Sequence, residues 1–494
     1  MSDEKKSKED SNEEKPALPE IEEQSVAKQY TGKFGKAKVA YTATAATQVI
    51  EREDDRKAAF FYVAYTQDDV DPADRPIIFA FNGGPGSSTV WLHLGLFGPK
   101  RVEFDDNGFP VGIPGRLVDN EYSILDIADV VHVDAVGTGL SRGMPKEKEK
   151  DYHHFSKDIK AFSDFILSYL NRNGRWASPV FLAGESYGTT RGAAIAADLF
   201  DKGLQLNGIL LISVAMSFQT IAMDVDAGFL FHRGNDLPFL THFPTYAATA
   251  WYHGALASKY QSKDLRSFLD EVEEFALGQY WSALALGDRL DDAERKKVVR
   301  KVADYTGLSP EYVDRYDMRI HIMRFCKELL RTQRKTVGRL DTRYTGYDRV
   351  ADGDNLESDP AGNLTMGPMS SALNAYLRSE LGFETDDFYE ILSMEVNQRW
   401  DYEDFKNRYV DTSENLRSVM SRSQRMKVFV ANGYFDLATP HMASEYTFSH
   451  MGLDPEIRKN VRMEYYEAGH MMYVHKPSLV KMATDMREFV SDSL

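Results

Sequence analysis

The stretch Pro179-Val180-Phe181-Leu182-Ala183-Gly184-Glu185-Ser186-Tyr187-Gly188 decides the architecture. Its first five residues form a short, almost continuously apolar run, the mark of a strand buried on both faces. The next five fit G-x-S-x-G, and the helix-period segment Thr189 to Phe200 follows. A strand that turns at once into a helix needs small residues on either side of the turn, and Gly184 and Gly188 supply them. The turn lifts the Ser186 hydroxyl above the sheet edge. It also sets that hydroxyl at a helix N-terminus, where the Tyr187 backbone N–H can face an oxyanion. The plain alternative is an ordinary glycine-rich strand-to-helix turn, and the strand before and helix after weigh against it.

Outward from this point the same pattern repeats. Pro76 to Phe81, Ala128 to Val133, Gly208 to Val214 and Met426 to Ala431 are apolar runs, most of them ending in a glycine-rich or polar turn. Between them lie helix-period faces, such as Phe155, Ile159, Phe162, Ile166 and Leu170, or Leu479, Ala483, Met486 and Val490. Strand–helix alternation predicts an α/β fold with a mostly parallel central sheet flanked by helices. Lys38 to Ile50 and Ala58 to Thr66 predict an antiparallel strand pair ahead of it. From about Phe218 to Trp400 helical stretches dominate. The expected organisation is a disordered acidic tail over 1–28, a core over 29–217, a large helical cap insertion over 218–400 above the sheet's C-terminal edge, and the rest of the core over 401–494.

Composition narrows the function. The 494 residues carry 59 Lys and Arg against 76 Asp and Glu, a net charge of −17, which argues against nucleic acid as the main partner. With 43% hydrophobic residues the chain can bury a large core. Cys326 is the single cysteine, so no intramolecular disulfide can form, and its apolar surroundings predict a small core side chain. Met1 to Gln24 holds nine acidic and four basic residues and no apolar run, unlike a secretory signal. No stretch approaches the ~18 apolar residues that span a bilayer. A cytoplasmic protein without a membrane partner is expected. His153-His154 and His132-Val133-Asp134 are isolated pairs without further ligands at useful spacing, so no metal is expected, and no organic cofactor is implied. Oligomeric state leaves no mark in the sequence.

A serine hydroxyl attacks only when a base takes its proton. On this kind of sheet the partners follow in the order serine, acid, histidine, at the ends of later strands. Val428 to Ala431 leads into Asn432-Gly433-Tyr434-Phe435-Asp436, and Met463 to Tyr466 leads into Glu467-Ala468-Gly469-His470. His470 would take the Ser186 proton, and Asp436 would fix the imidazole's tautomer. His441, His450 and His475 lie nearby, but none follows a strand through a glycine turn. After the early strand, Asn82-Gly83-Gly84-Pro85-Gly86 lets backbone N–H groups approach a substrate closely. A phosphate loop is disfavoured there, because no G-x-x-x-x-G-K-[ST] is present and Pro85 removes a donor.

Together these pieces resemble the serine carboxypeptidase family of α/β-hydrolases. The resemblance rests on Asn82 to Ser88, the Asp134 to Ser141 run, Gly184 to Gly188, Asp436 and Gly469-His470-Met471, spread from about residue 76 to 476. It implies release of the C-terminal residue from a peptide with a free C-terminus through an acyl-enzyme. It implies a triad of Ser186, Asp436 and His470, and an oxyanion hole from the N–H groups of Gly84 and Tyr187. It implies that Asn82 and Glu185 bind the substrate's terminal carboxylate. Three positions depart from the family's pattern: Ala80 stands where Trp is usual, Leu96 where a Glu often supports the carboxylate site, and Ser87 where Cys is common. Without disulfides the chain is similar to a bacterial-type branch. An esterase or acyltransferase would use the same triad, and a non-catalytic binding protein could keep the scaffold.

Overall fold

The computed structural model describes residues 22–51, 57–144, 146–223 and 234–494. β1 (Ser25–Phe34), β2 (Ala37–Glu51) and β3 (Lys57–Gln67) pair antiparallel in sequence order. There follow β4 (Ile77–Phe81), β5 (Asp129–Val133), β6 (Arg142–Met144), β7 (Val180–Glu185), β8 (Gly208–Ile212), β9 (Lys427–Gly433) and β10 (Val461–Tyr466). All ten join one sheet in the order β1-β2-β3-β5-β4-β7-β8-β9-β10, with β6 also on β3. From β5 to β10 every pairing is parallel. This is the α/β-hydrolase arrangement that the sequence predicts.

β4, β5, β7 and β8 are buried along their whole lengths, which explains their unbroken apolar sequences. Their side chains alternate between two cores. Ile77, Phe79 and Phe81 face α1 (Phe155–Arg172) and α2 (Tyr187–Asp201). Ile78 and Ala80 face the other core.

The segment 218–400 divides in two. α3 (Leu237–Tyr252), α4 (Leu265–Phe275) and α5 (Asp292–Thr306) pack about a separate apolar centre containing Phe243, Phe268 and Val302. Cys326 is fully buried there, a core side chain as expected. That centre also takes in Phe435 and Leu437, on either side of Asp436, so this part lies over the C-terminal end of β9. By contrast, α6 (Pro360–Tyr376) puts Met369, Leu373 and Tyr376 into the core under the sheet, together with α7 (Lys476–Asp492). The expected cap boundary at residue 400 is therefore too late, because α6 flanks the sheet. The tail boundary shifts too. β1 begins at Ser25, inside the segment read as tail, and residues 1–21 lie outside the described residues.

Strand order positions the site. From β4 the chain steps to β5 on one side and later to β7 on the other. The crevice of such a sheet opens at the carboxyl ends of the strands where this reversal occurs. Phe81 is in register with Gly184, so Asn82-Gly83-Gly84 emerges beside Glu185-Ser186.

Candidate active site

Ser186 caps α2 with φ 61° and ψ −128°, a conformation that costs a non-glycine residue about 1–3 kcal/mol. The sharp turn holds because its neighbours lack side chains. A Cβ on Gly184 would lie 2.2 Å from the Gly188 carbonyl oxygen, and one on Gly83 would lie 2.4 Å from the Tyr187 nitrogen. The two glycine loops therefore touch. Tyr187 opens the helix, so its N–H has no partner within it. Ser186 is partly exposed, whereas Glu185 and Tyr187 on either side are buried.

Asp436 is fully buried after β9 and accepts four hydrogen bonds. The N–H groups of Ala438 and Thr439 reach Oδ1 at 2.8 and 3.0 Å, and the Thr439 hydroxyl reaches Oδ2 at 2.7 Å. The fourth is His470 Nδ1, 2.7 Å from Oδ2. Holding Nδ1–H to the carboxylate leaves Nε2 free to accept a proton. Burial opposes a charged imidazole, but Asp436 outweighs it and holds the His470 pKa above its ordinary value.

Further residues fix these groups, and apart from Asp134 they carry no sequence motif. Ser213, just past β8, donates its hydroxyl to the His470 carbonyl at 2.7 Å, while the Ser186 N–H donates to the Ile212 carbonyl at 2.9 Å. The ends of β7, β8 and the His470 loop are thereby laced together. From the insertion, Leu340 accepts the His470 N–H at 2.7 Å, and Asp341 Oδ2 accepts the Gly469 N–H at 3.0 Å. Arg343 grips both Asp341 oxygens, at 3.0 and 2.6 Å, and both side chains are buried. In α2, Arg191 donates to the Asn82 carbonyl and to Asp158, each at 2.7 Å. Asp134, from the predicted 134–141 run, accepts the Thr89 N–H at 2.8 Å and the Tyr389 hydroxyl at 2.9 Å, bracing the helical stretch after the Asn82 loop.

Glu185 faces inward beside this group. Burial pushes its pKa up to about 7, and His470, Tyr473 and Asn82 pull it partly back. Tyr473 donates its hydroxyl to Glu185 Oε2 at 2.7 Å. Leu96 and Ala80 are both buried and apolar. A cleft of about 1000 Å³ adjoins the loop, lined by Gly84, Pro85, Phe218, Trp400 and Tyr402 among others. Asn82 and Gly84, Glu185 to Tyr187, Asp436 and His470 thus lie at or just past the carboxyl ends of β4, β7, β9 and β10.

A model of the serine carboxypeptidase family matches residues 39–484. The chain belongs to the serine carboxypeptidase family. Among curated relatives, it is 32% identical over 145 residues to the pheromone-processing carboxypeptidase KEX1 of Saccharomyces cerevisiae, covering 28% of this chain and 18% of that protein. It is 26% identical over 211 residues to a carboxypeptidase Y homolog of Arthroderma benhamiae, covering 41% of this chain and 38% of that protein. The matched stretches thus span well under half of these relatives' lengths. The crystal structure of KEX1(delta)p, a prohormone-processing carboxypeptidase from Saccharomyces cerevisiae, superposes with a TM-score of 0.54 at 15% identity over 91% of this chain and 92% of that one. At that identity the likeness supports the α/β-hydrolase fold alone. Among the described residues, no helix is long and apolar enough to cross a membrane.

Proposed function

We propose that this chain is a serine carboxypeptidase, releasing the C-terminal residue of peptides. The observation that carries the reading is the Asp436–His470 hydrogen bond at the sheet edge where Ser186 stands on its strained turn. Ser186 Oγ attacks the last peptide carbonyl while His470 Nε2 takes its proton. The N–H groups of Gly84 and Tyr187 receive the oxyanion. His470 then protonates the leaving amino acid, and water releases the acyl-enzyme by the same steps in reverse roles. Asn82 and protonated Glu185 hold the terminal carboxylate. Only the protonated acid can donate to a carboxylate, and burial favours that form up to about pH 7. The family and the relatives' names support the same reading.

An esterase or acyltransferase reading draws on one observation, the apolar Leu96 where a polar support is common in the family. A blocked dipeptide, its C-terminal amide and a simple aryl ester separate the two. Fastest turnover of the free acid supports the carboxypeptidase; turnover of the ester alone overturns it. A serine-directed fluorophosphonate should label wild type at Ser186 and leave Ser186→Ala unlabelled.

A further inference from the structure

The hydrogen bonds around Glu185 have a direction. Asn82 Oδ1 accepts the Leu92 N–H at 3.0 Å. That bond fixes the amide's orientation and turns its NH₂ away from Leu92. The Asn82 side chain lies beside Tyr473 and Glu185. The Tyr473 hydroxyl itself donates to Glu185 Oε2 at 2.7 Å. A carboxyl oxygen that already accepts from a phenol is a poor place for the acid's own proton. The proton is driven to Oε1.

The sequence makes room for this phenol. A Cβ on Gly95 would lie 2.3 Å from Tyr473 Cε2, so only a glycine there admits the ring. The next residue, Leu96, is buried and offers no polar atom. Tyr473 itself, in the loop after His470, is 2% exposed and packs its ring against this helical stretch.

We infer that Tyr473 is a positioning residue for substrate selection: its hydroxyl fixes Glu185 so that Oε1 alone presents a proton to the terminal carboxylate of the peptide. The inference rests on the reading of Glu185 given above. The titratable groups that face Glu185 are His470, Asp436 and Tyr473, with Asn82 as the neutral partner. Of these, His470 acts in the chemistry of every substrate, whereas Tyr473 acts on Glu185.

The sign of the effect follows. A donated hydrogen bond favours the ionised carboxylate, so removing it moves Glu185 toward higher pKa. Free-acid peptides bind only to protonated Glu185, so their KM rises with pH through that pKa. KM and kcat of a blocked dipeptide and of its C-terminal amide, measured from pH 5 to 9 on wild type, Tyr473→Phe and Gly95→Ala, test this. The amide isolates the limb that belongs to His470. Tyr473→Phe should move the KM limb of the free acid upward by about one pH unit, the effect of one hydrogen bond. At pH 5 it should lower the preference for acid over amide about fivefold, because the proton is no longer confined to Oε1. Gly95→Ala should move both readouts in the same direction by displacing the ring. A Tyr473→Phe limb that coincides with wild type overturns the inference while leaving the Glu185 reading standing. A wild-type KM for the free acid that stays flat across the range overturns the Glu185 reading itself. If Gly95→Ala does not fold, Tyr473→Phe, which removes one oxygen and keeps the ring, decides alone.

Discussion

Two buried carboxylates at one sheet edge are treated in opposite ways. Asp436, after β9, has donors from two backbone amides, a threonine hydroxyl and an imidazole. Glu185, at the end of β7, has the Tyr473 phenol, and burial pushes it up to about 7. The number of donors decides what each can do. A carboxylate ringed by donors stays an acceptor and orients a base. One with few donors is poised to hold a proton and become a donor itself. In the proposed function, the difference separates the chemistry of bond cleavage from the choice of substrate.

The largest test strikes the Asp436 side. Asp436→Asn keeps the shape but disturbs the imidazole tautomer, and kcat should fall by about 10⁴ on acid, amide and ester alike. A loss confined to free-acid peptides would merge the two roles. Next comes the brace beneath His470. Asp341→Ala leaves the buried Arg343 unpaired and frees the Gly469 N–H, so denaturant unfolding should show a loss of about 3 kcal/mol, with a fall in kcat that exceeds any change in KM. Unaltered kcat in a folded variant would mean that the insertion does not hold the His470 loop.

The smaller effects belong to Glu185. Its pKa is raised by folding, so the folded state resists ionising it. That penalty is absent below about pH 4.5, grows as pH rises toward 7, and is constant above, at roughly 3 kcal/mol. Glu185→Gln should therefore raise the melting temperature at pH 8 and leave it unchanged at pH 4. Equal gains at both would show that packing, not charge, is responsible. The same variant donates from its amide at any pH, so its KM for free-acid peptides should lose the rise that wild type shows between pH 6 and 8, a change of about tenfold or less.

The sequence made the central sheet and the three triad candidates legible because each rests on a local signal. Buried parallel strands are continuously apolar, and Ser186 and Asp436 each follow one through a glycine-bearing turn, while His470 follows the half-buried edge strand β10 through Gly469. β1 was hidden because it is an edge strand with Lys28, Gln29 and Lys33 on it, a composition that resembles a solvated tail. α6 was read as part of the cap because an amphipathic period shows that a helix is covered, not by what. The bracing residues Ser213, Asp341 and Arg343, and the phenol of Tyr473, act through contacts between segments more than a hundred residues apart. No spacing within the chain announces such contacts.

The most direct measurement is mass analysis of a mixed peptide pool after incubation with the protein at pH 6. The account predicts ladders that shorten from the C-terminus one residue at a time, absent with Ser186→Ala and with C-terminally amidated peptides. Trimming from the N-terminus, internal cuts, or equal loss of amidated peptides would contradict it.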